Sequence, residues 1–298
     1  SELMPDIAIE YSWDLEFIDA DNDYDLDVAI SCQTCDGSFL LRNDGSGRFD
    51  DASADLPQFT NNFDFETVDI NGDGFADLTT LNDGPDRTRH ENLFVSDGLG
   101  GFIDATAELW PEQEQITAQN ADDNAVVIVD FDSDGDPDLL IGHLGRRDRF
   151  LVNDGTGHLA MLEDIFSGPV TSGTLGIAVA DLNGDNVIDV VQSQGWNASD
   201  NRVFFGDALL PDTATPIIHG VVGIDGVVYA RVHDNKTPVM PHDWQRVFAE
   251  GPDGETDLAW YGEALWRVAV DLPGDYRVCA TDRAGNETCS DAVGVPVS

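Results

Sequence analysis

Short apolar runs separated by acidic, glycine-bearing breaks dominate the first two hundred residues. Val126-Val-Ile-Val129 and Leu139-Leu-Ile141 frame one break; Ile177-Ala-Val-Ala180 and Ile188-Asp-Val-Val191 frame another. Runs this short, β-branched and bounded by turn residues predict strands rather than helices. A second kind of run leads into Asn-Asp-Gly or Asp-Gly: Phe39-Leu-Leu-Arg-Asn43-Asp-Gly45, Leu93-Phe-Val-Ser-Asp97-Gly98, Phe150-Leu-Val-Asn153-Asp-Gly155 and, degraded, Val203-Phe-Phe-Gly206-Asp207. Those dipeptides tolerate the positive φ of hairpin turns. Each unit therefore reads as strand, acidic loop, strand, connection, strand, hairpin, strand. Beyond about Ile217 the character changes. Val227–Val232, Gln245–Phe248, Thr256–Trp260, Leu265–Val270 and Tyr276–Ala280 are short strand-like runs separated by Gly, Pro and Asp turns. Seven or so strands in about eighty residues point to an immunoglobulin-like β-sandwich.

The acidic breaks are four copies of one nine-residue pattern. Positions 1, 3, 5 and 9 are Asp19, Asp21, Asp23 and Asp27; Asp69, Asn71, Asp73 and Asp77; Asp130, Asp132, Asp134 and Asp138; and Asp181, Asn183, Asp185 and Asp189. Position 7, which would offer a backbone carbonyl, is Asp25, Phe75, Asp136 and Val187. So many carboxylates repel one another unless a cation sits among them, and Ca²⁺ takes six to eight hard oxygen ligands in a flexible geometry. A set of metal-free Asx turns is the bland alternative, but four copies in register favour about four Ca²⁺ ions, one per repeat. An EF-hand is excluded: it needs a bidentate Glu at position 12 and flanking helices, and position 12 here is Ile30, Thr80, Ile141 and Gln192. The loops begin at residues 19, 69, 130 and 181, and a four-stranded unit recurring at about fifty residues suggests propeller blades.

The four-fold D-x-[DN]-x-D-x-x-x-D with its trailing N-D-G-x-G resembles the FG-GAP/VCBS repeats of integrin-α-like propellers, over about residues 12–210. That resemblance implies a Ca²⁺-bound, secreted or surface-exposed propeller serving adhesion or ligand binding rather than catalysis. The chain departs from the pattern at loop position 6, usually Gly. Asn186 suits a left-handed bend, whereas Tyr24 incurs a steric penalty that makes the first loop the doubtful one. The fold expected is all-β: a propeller-type repeat domain with four visible blades over residues 1–211, then an Ig-like sandwich over 212–298. The ending Pro273-Gly-Asp-Tyr-Arg-Val-Cys-Ala-Thr-Asp-Arg-Ala-Gly-Asn286 is similar to bacterial surface Ig-like modules. The fourth unit lacks an outer strand, and Asp6–Tyr11 is a candidate to supply it, closing either its own ring or a neighbour's. A chain that is a piece of a longer protein is the third possibility.

Composition narrows the function. No run approaches the ~20 apolar residues of a transmembrane helix, and Ser1-Glu-Leu-Met shows no signal peptide. The formal charge is −44, far more than four divalent ions offset, which argues against nucleic acid and anionic membranes as partners. The cysteines fall as two close pairs. Cys279 and Cys289 flank a turn around Asp282–Gly285, and Cys32-Gln-Thr-Cys35 is read as a structural disulfide, there being no second CxxC and no βαβ context. Sequons at Asn197, Asn235 and Asn286 permit glycosylation. No G-x-S-x-G, H-E-x-x-H or Walker loop occurs, the six histidines do not cluster at metal-ligand spacing, and His143 and His158 fall in blade connections where a ligand could meet them. The reading is a non-enzymatic, extracellular, calcium-stabilised structural or adhesive protein with a protein partner or self-assembly. A carbohydrate-binding propeller is the alternative, weakened because Trp13, Trp110 and Trp196 hold non-equivalent positions in the repeats. A secreted hydrolase or lyase is less supported than either.

Overall fold

The computed structural model describes residues 3–9, 11–35, 37–82, 90–111, 123–145, 147–162, 173–195, 200–206, 212–234 and 244–296. Glu10, Trp196, Asn197, Asp207, Asn235 and His242 lie outside the described residues. The chain forms two compact units. One holds residues 1–128, 138–180 and 189–205; the other holds 129–137, 181–188 and 206–298.

The first unit carries antiparallel sheets that follow the chain without crossing. Sheet one is β1 (Leu15–Ile18), β2 (Asp27–Ile30), β3 (Phe39–Asn43) and β4 (Phe49–Asp51). Sheet two is β5 (Asn62–Val68), β6 (Asp77–Asn82), β7 (His90–Ser96) and β8 (Phe102–Asp104), followed by the single turn α1 (Thr106–Leu109). Sheet three is β9 (Asp123–Val129), β10 (Asp138–His143), β11 (Arg149–Asn153) and β12 (Leu159–Leu162). Sheet four has β13 (Thr174–Ala180), β14 (Asp189–Gln194) and β15 (Arg202–Phe204). Each acidic loop links the first strand of its sheet to the second, as the repeat predicts.

Neighbouring sheets meet face to face. Ala29 and Leu40 of sheet one share a core with Phe65, Leu78 and Phe94 of sheet two. Val68, Leu81 and Leu93 of sheet two share another with Val126, Ile128, Leu139 and Ile141 of sheet three, closed by Leu109 and Trp110. Between sheets three and four the approach is so close that a Cβ on Gly142 would lie 2.7 Å from Thr174 Cγ2 and 3.1 Å from Ile177 Cδ1. Burial of this kind, at about 25 cal/mol per Å² of apolar surface, is what holds amphipathic sheets together. A polar tie adds to it: Arg149 on β11 ion-pairs with Asp123 and, at 3.3 Å, with Glu91 of sheet two.

The N-terminal run does not complete the fourth sheet. Its described residues, Asp6–Ile9 and Tyr11, form no strand, and among the described residues sheet four has three strands. The Leu3 carbonyl instead accepts from the Phe49 N–H, 2.9 Å away at the edge of sheet one. The spacing of Asp6–Tyr11 is strand-like, but its described residues join no ladder, and Tyr11 is left-handed (φ 58°).

The second unit holds two sheets. One runs β16 (Ile217–Ile224), β17 (Val227–His233), β21 (Leu265–Ala269), β20 (Ala259–Gly262); the other runs β19 (Gly254–Asp257), β18 (Trp244–Gly251), β22 (Gly274–Asp282), β23 (Glu287–Cys289), with β24 (Val293–Val295) also paired to β22. Val228, Ala230 and Trp266 from the first sheet and Val247, Ala249, Tyr276 and Val278 from the second form one core. The run Thr256–Trp260, expected as one strand, is split at buried Leu258, where the chain leaves β19 and enters β20 of the other sheet. Alternation alone does not mark such a crossing.

Candidate metal-binding loops

All four acidic loops adopt one backbone conformation. Positions 4 and 6 are left-handed in every copy: Asn22 (φ 65°) and Tyr24 (71°), Gly72 (72°) and Gly74 (90°), Ser133 (62°) and Gly135 (98°), Gly184 (80°) and Asn186 (64°). Tyr24 therefore takes the bend that glycine takes elsewhere, and its ring is buried. The first loop is not the outlier that its sequence suggests. Packing of the ring compensates the left-handed penalty of about 1–2 kcal/mol.

Side-chain oxygens set this shape. The position-1 carboxylate accepts the N–H groups of positions 5 and 6: Asp69 from Asp73 (3.0 Å) and Gly74 (2.9 Å), Asp130 from Asp134 (3.2 Å) and Gly135 (3.0 Å), Asp181 from Asp185 (3.2 Å) and Asn186 (3.0 Å). The position-5 carboxylate accepts the position-7 N–H in all four loops: Asp23 from Asp25 (2.9 Å), Asp73 from Phe75 (2.9 Å), Asp134 from Asp136 (3.0 Å) and Asp185 from Val187 (2.9 Å). In loops two and four the position-3 amides of Asn71 and Asn183 donate to Asp73 (3.0 Å) and Asp185 (2.9 Å), holding positions 3 and 5 together.

Position 9 does more than its place in the pattern foretells. Asp27, Asp77, Asp138 and Asp189 are all buried. One oxygen of Asp27 accepts from Ala20 N–H (2.9 Å) and the other from Asn43 N–H (2.7 Å); Asp77 does the same with Ile70 (3.1 Å) and Ser96 (2.8 Å), and Asp138 takes Asn153 N–H (2.8 Å). The residue reached is the one that opens the hairpin, so the first three loops are braced to the third strands of their own sheets. Asn43 and Asn153 in turn cap their hairpins, Oδ1 accepting from Gly45 and Gly47 and from Gly155 and Gly157. The recurring interval between the ninth-position Asp and the Asn-Asp-Gly run is the sequence signal for this brace.

Carboxylates converge where a cation would sit. Asp19, Asp21 and Asp27 offer oxygens within 4.8 Å of one another, as do Asp130, Asp132 and Asp138. In the first loop Asp21 Oδ1 is buried without a hydrogen-bond partner among the described residues, while its other oxygen lies 3.8 Å from Arg42 Nε. Burial, reinforced by the charges of Asp21, Asp25 and Asp19, pushes Asp23 up to about 6; burial likewise pushes Asp27 up to about 7 against the pull of two backbone N–H groups. Asp130 rises to about 6 through burial and then Asp134, Asp132 rises for the same two reasons, and Asp77 rises well above its usual range, again chiefly through burial. At Asp181 burial also raises the pKa, but the N–H groups of Asn186, Gly184, Asp185 and Asn183 together outweigh it and the net shift is downward. Buried hard oxygens that resist ionising without a counter-charge fit Ca²⁺.

Both cysteine pairs are bonded as expected. Cys279 and Cys289 are cross-strand partners on β22 and β23 with Cα atoms 4.1 Å apart, and Cys32–Cys35 closes the turn after β2. The turn between them in the second unit is held by Asp282, whose carboxylate accepts from Gly285 N–H (2.6 Å), Asn286 N–H (2.8 Å) and Asn286 Nδ2 (2.8 Å). Asp212 and Asp234 offer oxygens within 4.8 Å of it, an acidic group that no sequence pattern announces. His143 proves to be the buried end of β10, its Nδ1 accepting from Gly145 N–H at 2.8 Å, so it is not a connection residue open to a ligand. His158 stays at the hairpin, 2.9 Å from Thr156 Oγ1. Among the described residues no helix is long and apolar enough to cross a membrane.

The FG-GAP-like repeat family matches residues 130–191, from the first carboxylate of the third loop to β14. No curated protein matches the chain. Among solved structures it is similar to an Agrocybe aegerita lectin, described for its specific recognition of non-reducing terminal N-acetylglucosamine, at 13% identity and TM-score 0.39, covering 96% of this chain and 80% of that one. It is also similar to the V. cholerae biofilm matrix protein Bap1, at 10% identity and TM-score 0.29, covering 96% of this chain and 61% of Bap1. At those scores neither likeness carries weight for fold or function. What the comparisons establish is an FG-GAP-like repeat between residues 130 and 191 of an all-β chain.

Proposed function

We propose that this chain is a calcium-stabilised, non-catalytic extracellular protein with a structural or adhesive role. Its loop-bearing sheets act as blades of a propeller-type array and its second unit as an Ig-like module. The observation that carries the calcium reading is the shared loop geometry: two left-handed bends and a buried ninth carboxylate in each repeat, with carboxylate oxygens converging in the first and third. Asp19, Asp21, Asp23 and Asp27, with their counterparts in the other loops, would hold the ion. The ion itself would supply positive charge among these carboxylates. The Ig-like reading is supported by strand order, since β16-β17-β21-β20 and β19-β18-β22-β23 follow the A-B-E-D and C′-C-F-G arrangement of such domains. Tyr276 strengthens it. Near the start of β22 its hydroxyl donates to the Leu272 carbonyl at 2.9 Å, four residues upstream, as in a tyrosine corner. Two disulfides and a charge of −44 suit an oxidising, saline exterior. Of the tryptophans weighed as sugar platforms, Trp110 is buried in the core and offers no ring to a carbohydrate.

Calorimetric titration of exhaustively dialysed protein tests the proposal. About four Ca²⁺ should bind per chain, with oxygen distances of about 2.3–2.6 Å in a metal-bound structure. Fewer than two per chain would remove the calcium reading and the blade assignment with it.

A further inference from the structure

The first acidic loop has a cation beside it. Arg42 lies on β3, one residue before the hairpin-opening Asn43, and its Nε stands 3.8 Å from Asp21 Oδ2, position 3 of that loop. Nη2 of the same guanidinium ion-pairs with Asp55 at 3.0 Å and donates to the Gly100 carbonyl in the hairpin of sheet two. In that hairpin the Gly101 and Leu99 N–H groups, and more weakly Arg42, hold the Asp97 carboxyl below its usual range. A Cβ on Gly100 would stand 2.6 Å from Arg42 Nη2 and 3.0 Å from Asp21 Cβ, so loop, guanidinium and hairpin close on one another only around glycine.

Loop three is the natural comparison. Its positions 1, 3, 5, 7 and 9 are Asp130, Asp132, Asp134, Asp136 and Asp138, matching Asp19, Asp21, Asp23, Asp25 and Asp27 one for one. The residue before its hairpin-opening Asn153 is Val152, and in sheet two the one before Ser96 is Val95. Val152 brings no charge to the third loop, where Arg42 brings one to the first. A guanidinium stays protonated at any ordinary pH, and its N–H groups donate hydrogen bonds but cannot ligate a metal. The side chains of Arg42 and Asp21 are only 26% and 27% exposed, so solvent screens this pair less than a fully exposed one.

We propose that Arg42 is a built-in counter-ion of the first loop, steadying it in metal-free protein and lowering its affinity for Ca²⁺. Without an ion, the guanidinium offsets part of the repulsion among Asp19, Asp21 and Asp23, so the first loop keeps its shape with less help than the third. Toward an arriving Ca²⁺ the same charge is repulsive, and Asp21 is already engaged, so the first site binds more weakly than the third. The steadying effect stands without the calcium reading; the effect on affinity deepens that reading and rests on it.

Two measurements on the full chain test the proposal. The first is amide hydrogen exchange in chelator. Loop-one amides should exchange more slowly than those of loop three, and Arg42→Gln should speed them by up to about fivefold, the scale of a partly exposed ion pair, while loop three is unchanged. The second is calorimetric titration with Ca²⁺. Arg42→Gln should tighten one site by about tenfold, Arg42→Lys, which keeps the charge, should stay close to wild type, and adding Asp23→Ala to Arg42→Gln should remove the tightened site, placing it in the first loop. Exchange that is the same in Arg42→Gln and wild type overturns the proposal, as does exchange that quickens equally in loops one and three, which would make Arg42 a global support. A first site that is unchanged or weaker in Arg42→Gln overturns the effect on affinity. Ca²⁺ bound at every loop with affinities and exchange indifferent to Arg42 removes this inference and leaves the calcium reading standing; an exchange effect in protein that binds no Ca²⁺ supports the counter-ion and removes the calcium reading.

Discussion

Gly184 and Asp64 show how single residues in this chain answer to backbone and charge. Gly184 is left-handed (φ 80°), and a Cβ placed there would meet nothing within 4 Å. Gly184→Ala should therefore cost about 1 kcal/mol through conformation alone, read as a lower urea midpoint with unchanged slope; a neutral result would mean the loop relaxes freely. Asp64 lies outside the acidic loops, and burial, then the charges of Asp14 and Glu16, push it up to about 8. Its folded pKa thus exceeds the unfolded value near 3.8. Protonated Asp64 contributes stability that is complete below that lower value and is lost as pH rises through about 8. Asp64→Asn should leave melting at pH 3 nearly unchanged and raise it increasingly from about pH 4 to pH 9; equal melting of variant and wild type at pH 9 would count against the shift. At this scale the sequence discloses the four acidic loops but not the left-handed Asn22 and Ser133. Position 4 is occupied by Asn or Ser in half the copies and bears no glycine signature there.

The loop and the hairpin act as one element through the ninth-position carboxylate. Asp138 is fully buried and accepts the Asn153 N–H at 2.8 Å. Asp138→Ala strands that donor, at a cost of about 1–3 kcal/mol, even in metal-free protein. Asp138→Asn keeps an acceptor in place and should fold nearly as well, while losing Ca²⁺ at the third loop. Comparing chemical denaturation in chelator with Ca²⁺ stoichiometry separates the two functions; equal destabilisation by both substitutions would mean the brace needs the charge itself. Elements that repeat are legible in the sequence. Four strand–loop–strand units and the Asn-Asp-Gly hairpins follow from periodicity and turn chemistry, and the Cys279–Cys289 pair follows from the turn it flanks. Elements defined by a long-range decision were not. Leu258 breaks one apolar run between two sheets, and Asp6–Ile9 has strand-like spacing but no ladder to join, since Leu3 is tied to the edge of sheet one.

Across the whole molecule, the two compact units divide the acidic loops between them. The first and second loops lie within the first unit, whereas residues 129–137 and 181–188, the bulk of the third and fourth, belong to the second together with residues 206–298. A sequence reading assigns all four loops to the repeat domain, and on that reading the C-terminal sandwich would be indifferent to chelator. The contacts within the second unit argue otherwise: Gly135 of the third loop approaches so near that an added Cβ would stand 3.4 Å from Ala214 Cβ. Each occupied site stabilises its unit by about 2.7 kcal/mol at a hundredfold excess of free ion over Kd. Chelation should therefore lower both transitions in scanning calorimetry. Asp23→Ala and Asp73→Ala should lower mainly the first unit's transition, and Asp134→Ala and Asp185→Ala mainly the second's. If the second transition ignores both chelator and the Asp134 and Asp185 substitutions, the third and fourth loops contribute nothing to the unit they pack in, and their carboxylates are surface turns rather than metal-held struts.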